Sequence, residues 1–463
     1  MSLTHIEISG LRSFADPERL ELAIPNGEFG SGITVLVGPN NSGKSTIIEA
    51  FGAFSRDDPR DGHYGTSFPK GVRNARTGGK VHLRAFRTEG ETSELKTIEA
   101  GGALTQTLWN GIGAFVLPSR RLFHPFFKRF PEYMSRSTYA NNGEHPSLRS
   151  STLDRINERI FSAHGSREHF NAVFAKVVDP VPEWNIEQTD DGRYYLQFQF
   201  GDVAHSSDGL GDGLLSIWLV IDALYDASES EPIVIDEPEQ SLHPALQKRL
   251  FALLGEYARK RQIIYATHSP YFIDWTAVLN GAHITRVHKK ENRSILSTLS
   301  QDTVKRLRGF IENANNPHVL GVNAREVFFL DDRVVLVEGQ EDVIFYRRIA
   351  EQLNREMPGE FFGWGVGGAS NMGLVAQMLA ELGFTQVVGI LDNDKAELKI
   401  ELEGRFPQFH FFVIPAKDVR SKRAAPEKPQ VIGLLDEAGQ LRGEYKFEIE
   451  EIFDRMRGTL NAK

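Results

Sequence analysis

Ile33-Thr34-Val35-Leu36-Val37-Gly38-Pro39-Asn40-Asn41-Ser42-Gly43-Lys44-Ser45-Thr46 decides how this 463-residue chain is read. A short β-branched and apolar run makes a strand, a glycine-bounded turn follows, and Gly43-Lys44-Ser45-Thr46 opens a helix that continues from Ile47 to Phe54. The spacing is G-x-x-x-x-G-K-[ST], whose chemistry is that of a phosphate cradle. Successive backbone N–H groups from Gly38 through Asn40, Asn41, Ser42 and Gly43 to Thr46 wrap an anion at a helix N-terminus, where the helix dipole favours negative charge. Lys44 is expected to reach the β- and γ-phosphates of ATP, and the Ser45 hydroxyl to ligate Mg²⁺. Gly38 and Gly43 allow backbone angles and a close approach that a Cβ would obstruct. A plain glycine turn would lack the strand before it and the helix after it.

Length suggests about two or three domains. The chain has no cysteine, which excludes a disulfide framework, a cysteine-ligated zinc and an Fe–S cluster. The opening stretch MSLTHIEISGLRSF lacks an apolar secretion core and reads as a strand. No run of about 20 apolar residues is present, so no membrane span is expected, and a cytoplasmic location follows as the expectation. The net charge of −9 does not advertise a polyanion partner, so any nucleic-acid contact must be local.

After the first helix, residues 55 to 80 are rich in Gly, Asp and Arg and read as loops. Val81 to Arg87, Leu95 to Ala100 and Ala114 to Pro118 read as strands. The segment from Arg121 to Arg136 interleaves basic residues with aromatics, a pattern shared by nucleic-acid surfaces and by packed aromatic segments with basic rims. Ser151 to Val178 reads as helical, so residues 120 to 195 are a helical insertion with a dimer contact as its expected role. Tyr194 to Phe200 alternates like a strand. Ser206-Ser207-Asp208-Gly209-Leu210-Gly211-Asp212-Gly213 then opens an apolar helix from Leu214 to Tyr225, a second anion-binding turn by composition.

Pro232-Ile233-Val234-Ile235-Asp236-Glu237-Pro238-Glu239 follows. A buried strand ends in carboxylates, at the sheet edge where open α/β folds place their chemistry. Asp236 is read as holding Mg²⁺ and Glu237 as the general base toward water. Gln262 to Ala266 is another strand, which runs into Thr267-His268-Ser269. Loop, glycine turn, DEP and THS, in this order, resemble the ABC-type ATPases of the SMC/Rad50/RecF group. The resemblance implies that Ser207 and Gly209 belong to the signature, which meets the γ-phosphate held by a partner subunit. It further implies that Ser241-Leu242-His243-Pro244 is the D-loop and that His268 is the switch histidine on the γ-phosphate. It also sets Arg12, in the opening arm, near the nucleotide.

From residue 326 the pattern alternates strand and helix, which predicts a small parallel sheet with covering helices. Strands are read at Val334 to Val337, Phe361 to Val366, Thr385 to Leu391 and His410 to Ile414. Helices are read at Glu341 to Arg355, Asn371 to Leu382 and onward to about Gly404. Glu338 ends the first strand, Asp342 begins the next helix, and Asp392 and Asp394 end the third strand two residues apart. Carboxylates that converge at one sheet edge repel one another unless cations bind, and hard oxygen ligands suit Mg²⁺ or Mn²⁺. This part resembles a Toprim domain, and the whole chain resembles the OLD-family (overcoming lysogenisation defect) ATP-dependent nucleases. The resemblance implies metal binding by Glu338, Asp342, Asp392 and Asp394 for phosphodiester cleavage. It also implies a later acidic residue and lysine, with Asp418 and Lys417 or Lys422 as candidates, and a role in bacterial anti-phage defence.

The expected fold is thus α/β, with an ABC-type P-loop ATPase head over residues 1–325 and a small Rossmann-like Toprim domain over 326–463. The expected activity is an ATPase controlling a metal-dependent endonuclease. Expected partners are nucleic acid, with DNA ahead of RNA, further copies of this chain as a homodimer or higher homo-oligomer, and a second defence protein. Two alternatives stand beside it: a RecF-like repair ATPase, and a sensor scaffold whose second domain restrains or releases an effector without cleaving.

Overall fold

In a computed structural model the described residues are 2–54, 68, 70–97, 105–108, 112–119, 126–127, 156–209, 211–311, 325–326, 328, 333–422, 424 and 429–461. They form two compact units, Met1–Leu296 and Ser297–Lys463, which divide earlier in the chain than the boundary at 325 read from sequence. The segments from Arg120 to Pro125 and from Lys128 to Arg136, which hold most of the basic–aromatic stretch, lie outside the described residues, as do residues 55–67, part of the stretch read from sequence as loops.

The first unit is built on a six-stranded sheet ordered β15-β14-β3-β13-β12-β7. Its strands are β3 (Ile33–Val37), β7 (Phe115–Leu117), β12 (Ile233–Asp236), β13 (Ile263–Ala266), β14 (His283–Lys290) and β15 (Arg293–Thr298). β3, β12 and β13 are buried at every position. That is the signature of parallel strands covered on both faces, and it explains why they read as unbroken apolar runs. β3 pairs in parallel with both β13 and β14, and β12 pairs in parallel with β13 and β7.

An antiparallel sheet ordered β2-β1-β4-β5-β6 supplies a second layer. Its strands are β1 (Leu3–Ser9), β2 (Glu18–Glu21), β4 (His82–Arg87), β5 (Thr92–Thr97) and β6 (Thr105–Leu108). The helix Lys44–Phe54 lies in one core cluster with both sheets. Ile47, Phe51 and Phe54 share it with Ile6, Ile8 and Leu83 on one side and Leu36, Val234 and Ile264 on the other. Nine of the eleven helix residues are buried, as expected of a helix apolar on every face.

The stretch read as one helix from Ser151 to Val178 is two, Ile156–Gly165 and Arg167–Phe174, broken at Ser166 where the backbone leaves the helical region. Residues 151–155 lie outside the described ones. A small antiparallel sheet follows, with β8 (Phe126–Phe127), β10 (Tyr194–Phe200) and β11 (Val203–Ser206) in the order β11-β10-β8, and β9 (Glu183–Gln188) also paired to β10. The described part of residues 120–195 is therefore mixed α and β.

The second unit carries a parallel sheet ordered β17-β16-β18-β19, from β16 (Val334–Leu336), β17 (Glu360–Phe361), β18 (Val387–Leu391) and β19 (His410–Val413). The strand expected over Phe361 to Val366 stops after Phe361. Gly363, Gly365, Gly367 and Gly368 all take positive φ, which ends the ladder in a tight loop. Helices Gln340–Gln352, Ala369–Glu381, Ala396–Arg405 and Lys446–Leu460 accompany the sheet. Sequence reading did not mark the last one, although Ile449, Ile452, Phe453, Met456 and Leu460 are its buried stripe at helical spacing. The helix Gln301–Ile311 is tied to Ala369–Glu381 by Glu381, which accepts from Ser300 N–H at 2.7 Å and Thr303 Oγ1 at 2.5 Å. No helix among the described residues is long and apolar enough to cross a membrane.

One ion-pair network fastens the helix Ile156–Gly165 to the helix Asp212–Tyr225. Arg159, 2% exposed, donates to both oxygens of fully buried Asp222 at 3.1 and 3.0 Å and to Asp226 at 2.7 and 2.8 Å. Its guanidinium also lies over the Tyr225 ring, 5.3 Å from the centroid. Removing one partner of such a pair leaves a buried charge without compensation. Arg159→Ala should therefore destabilise the first unit by about 3–5 kcal/mol. Asp226→Asn, at the exposed end of the network, should cost about 1 kcal/mol or less. Thermal or urea unfolding of the two variants beside the wild type checks the ranking.

Candidate active sites

Strand register places the first site. Leu36 pairs with Ala266, and Ala266 pairs with Asp236, so β3, β13 and β12 end level with one another. The loop Gly38–Gly43, Glu237 and His268 all leave the sheet at that edge. Gly38, Asn41 and Gly43 have φ of 128°, 62° and 121°. A Cβ on Gly38 would come within 2.1 Å of the Val287 carbonyl, and one on Gly43 within 2.7 Å of Ser294 Oγ and 3.1 Å of the Phe14 ring. The glycines are thus demanded by the packing beneath the loop as well as by its turn. Asn40 and Asn41 are exposed at the loop's crest, Ser45 is half-buried, and Ser42 and Thr46 are buried.

Lys44 is buried, and its ammonium donates to the Gly38 carbonyl at 2.9 Å and the Pro39 carbonyl at 3.1 Å. Burial lowers its pKa to about 8, against the opposing pull of Asp236, Glu237 and Glu239. Asp236 is 4% exposed. Glu237 sits in the left-handed region at φ 52°, and its N–H donates to the Ala266 carbonyl at 2.8 Å. His268 is half-buried, and burial and then Lys44 lower its pKa, so the imidazole is neutral at neutral pH. Arg12 is bound to Glu49, on the helix that follows the loop, at 2.9 Å.

Ser207–Gly209 forms one 3-10 turn with Ser207 buried, and the helix Asp212–Tyr225 starts three residues on. A Cβ on Gly213 would lie 2.5 Å from the carbonyl oxygen of Ser241, itself at φ 61°. The helix start after the turn Ser207–Gly209 and the segment after Glu237 therefore touch backbone to backbone within one chain. His243 caps the helix Pro244–Tyr257, its ring nitrogen accepting from Ala245 N–H at 3.2 Å.

In the second unit Leu336 pairs with Gly389 and Leu391 with Val413, which brings Glu338 and Asp392 to the same edge. Glu338 accepts from the Asp392 N–H at 3.4 Å. Asp342 accepts from Gly339 N–H at 2.8 Å and so caps its helix. Burial, followed by repulsion from Glu338 and Asp418, pushes Asp342 up to about 6. Burial, followed by repulsion from Glu338, Asp342, Asp418 and Asp394, pushes Asp392 up to about 8. Burial also raises Glu338. Asp394 is exposed and paired with Lys395 at 2.9 Å, while Asp418 is paired with Lys422 and accepts from Arg420 N–H at 3.1 Å. Among the described residues no three His, Asp or Glu side chains stand together at metal-holding distance. The donors are hard oxygens that repel one another, which suits a divalent ion chemically.

Three features of these sites were not marked by sequence reading. Glu239 accepts from His268 N–H at 2.6 Å and is pushed up to about 6 by burial. Lys395 neutralises Asp394. The glycine run from Gly363 to Gly368 ties down the Glu338 strand end, with Val366 N–H donating to Val337 at 2.9 Å and Gly368 N–H to the Glu338 carbonyl at 2.7 Å. Glycine at residues 363, 365, 367 and 368, just before an apolar helix, was the available signal.

Comparison with known proteins agrees with this division. Residues 5–94 match the family described as "AAA domain" and residues 84–274 the one described as "AAA domain, putative AbiEii toxin, Type IV TA system". Residues 329–394 match "Overcoming lysogenization defect protein-like, TOPRIM domain", a span that includes Glu338, Asp342, Asp392 and Asp394 and stops before Asp418. The chain is 23% identical to the OLD nuclease of Thermus scotoductus over 397 residues, covering 69% of this chain and 70% of that protein. A 50-residue stretch is 50% identical to the chromosome partition protein Smc of Lactiplantibacillus plantarum, 11% of this chain and 4% of that one. Among solved structures, the SMC head domain from Thermotoga maritima aligns at a TM-score of 0.36 with 17% identity, over 65% of this chain and all of that one. An SmcHead bound to the C-winged helix domain of ScpA aligns at 0.40 with 13% identity, over 66% of this chain and all of that one. The chain is a homologue of OLD nuclease over 69% of its length, with an AAA-type ATPase domain followed by an OLD-like Toprim domain.

Proposed function

We propose that this chain is an ATPase whose nucleotide site controls a metal-dependent nuclease site in the second unit, acting on nucleic acid, with DNA ahead of RNA. The observation that carries the reading is shared by both units: acidic side chains gather at the C-terminal edge of a parallel sheet, beside a phosphate-cradle loop in the first and around Asp392 in the second. In the first unit Ser45 and Asp236 would hold Mg²⁺, with Lys44 and the N–H groups of the loop on the phosphates. Glu237 would take the proton of the attacking water, and neutral His268 would donate to the γ-phosphate. In the second unit Glu338, Asp392 and Asp394, with Asp342 behind them, would hold Mg²⁺ or Mn²⁺. Bound divalent ions supply charge stabilisation of phosphate oxygens and a more acidic water. Glu338, with its raised proton affinity, is suited to carry a proton during cleavage.

Homology to OLD nuclease supports a place in anti-phage defence. The resemblance of Ser207–Gly209 to a signature that meets nucleotide held by a partner subunit supports heads that pair as a homodimer or larger assembly, and a second defence protein is the expected regulatory partner. One observation favours the scaffold reading: Asp394 and Asp418 are each neutralised by a lysine of the same unit. Plasmid DNA and total RNA incubated with the protein, Mg²⁺ or Mn²⁺, with and without ATP, test the reading. No cleavage under any condition leaves the scaffold in its place.

Lys44→Ala should lower ATP turnover by about a hundredfold or more, since the charge on the transferring phosphoryl group is lost. A phosphate-release assay at saturating ATP checks it. Glu237→Gln keeps shape and hydrogen bonding without the base, so nucleotide binding should persist while hydrolysis nearly stops. Equal loss of both would make Glu237 structural.

The third expectation concerns Asp392. Its folded pKa of about 8 lies above the ordinary carboxylate value, so the folded state binds the proton more tightly than the unfolded one. The stability of the metal-free second unit should fall as pH rises from 4 toward 8. Asp392→Asn should flatten that slope, raise stability in EDTA at pH 8, and abolish cleavage while leaving ATP hydrolysis in place. Thermal unfolding across pH, with EDTA or Mn²⁺, beside plasmid nicking, reads all three.

A further inference from the structure

We propose that Glu239 is a positioning residue of the ATP-hydrolysing site, holding the general base Glu237 and His268 in register through the hydrogen bond its side chain accepts from the His268 backbone. The inference rests on the ATPase reading above. Glu237 occupies the left-handed region at φ 52°, and Ser241 does so again at φ 61°. Non-glycine residues stay there only where neighbouring structure over-determines them. This turn is bonded to the end of β13. The Ala266 carbonyl accepts from Glu237 N–H at 2.8 Å, and His268 N–H donates to Glu239 Oε1 at 2.6 Å. They hold the turn at residues 237 and 239, the positions that flank Pro238.

The turn is closed internally by Gln240 N–H on the Glu237 carbonyl at 3.1 Å and Leu242 N–H on the Glu239 carbonyl at 2.9 Å. His268 is steadied beyond the clamp as well, because Ser269 Oγ donates to Gln247 Oε1, on the helix Pro244–Tyr257, at 2.5 Å. An acid at residue 239 is costly on its own: burial and the neighbouring Glu237 both disfavour its charge. Its Oε1 is compensated by the strong backbone bond it accepts from His268. Without it the turn can relax, Glu237 loses its aim at the attacking water, and the loop and Lys44 still hold nucleotide.

The test compares full-length wild type, E239A, E239Q and E239D in steady-state ATP turnover and nucleotide binding. E239A is expected to lower kcat tenfold or more with KM for ATP within about twofold, the size expected for a lost charge-assisted bond acting on chemistry rather than on binding. E239Q keeps a carbonyl acceptor of the same reach and is expected to recover most of kcat. E239D keeps charge but falls short of His268 and is expected to be slow, so it carries the same expectation should E239A fail to fold. Wild-type kcat in E239A or E239D overturns the assignment. So does E239Q as slow as E239A, or a fall in affinity and melting temperature alongside kcat, which marks a structural role. A wild type with no ATP turnover overturns the ATPase reading itself, whereas normal turnover in E239A overturns this assignment alone.

Discussion

Parallel strands that end level with one another are the constraint on which the rest of the first unit depends. Asp236, Ala266 and Leu36 stand side by side through two sets of backbone hydrogen bonds. Side-chain chemistry that is scattered over more than 230 residues of sequence therefore meets at one edge, between Gly38 and His268. A slip of one residue in either pairing would turn Asp236 or Thr267 to the other face. The continuous burial of β3, β12 and β13 resists such a slip, because both faces are already filled with apolar groups. The helix Lys44–Phe54 adds a second restraint. Held between two sheets, it cannot rotate without exposing Phe51 or Phe54, so the N–H groups at its start keep their aim.

The second unit uses the same device with the opposite electrostatic balance. At the first edge Lys44 is surrounded by carboxylates that favour its charge. At the second, Asp392 is surrounded by carboxylates that oppose its own. The first sets one buried ammonium among three carboxylates, beside a loop of backbone N–H groups. The other carries an excess of negative charge that protons relieve in part, Lys395 and Lys422 relieve at its rim, and a divalent ion would relieve more completely.

Much of this was legible in sequence wherever a residue type had one physical use. Glycines flanking a lysine at a helix start, acids directly after four apolar residues, and the alternation of strand with helix each pointed to the element that formed. What sequence hid was of three kinds. The break at Ser166 was signalled by Gly165-Ser166, a helix-stop residue followed by an N-cap residue, but the apolar periodicity on either side outweighed it. The shortened β17 was hidden because the apolar residues of Phe361 to Val366 outvoted the glycines among them, although positive φ at those glycines decides the matter. Glu239 was hidden because its partner is a backbone N–H 29 residues away, and a side chain's bond to distant backbone leaves no pattern in its own neighbourhood. The helix Lys446–Leu460 was plainly periodic and simply lay beyond the motifs.

The contact at Gly213 has a mechanical meaning. With the Ser241 oxygen where a methyl group would need to be, the start of the helix Asp212–Tyr225 and the turn that follows Glu237 lie against each other with no side chain between them to flex. Closely packed backbones transmit displacement rather than absorb it, since separating them opens a void and pressing them together meets hard repulsion. A shift of Glu237 is therefore passed to the helix Asp212–Tyr225 as a push. Through Arg159, whose guanidinium grips Asp222 and Asp226 at that helix's far end, it reaches the helix Ile156–Gly165. The first unit thus contains a stiff linkage from the turn after Glu237 to an element far along the chain, with glycine at one joint and arginine at the other.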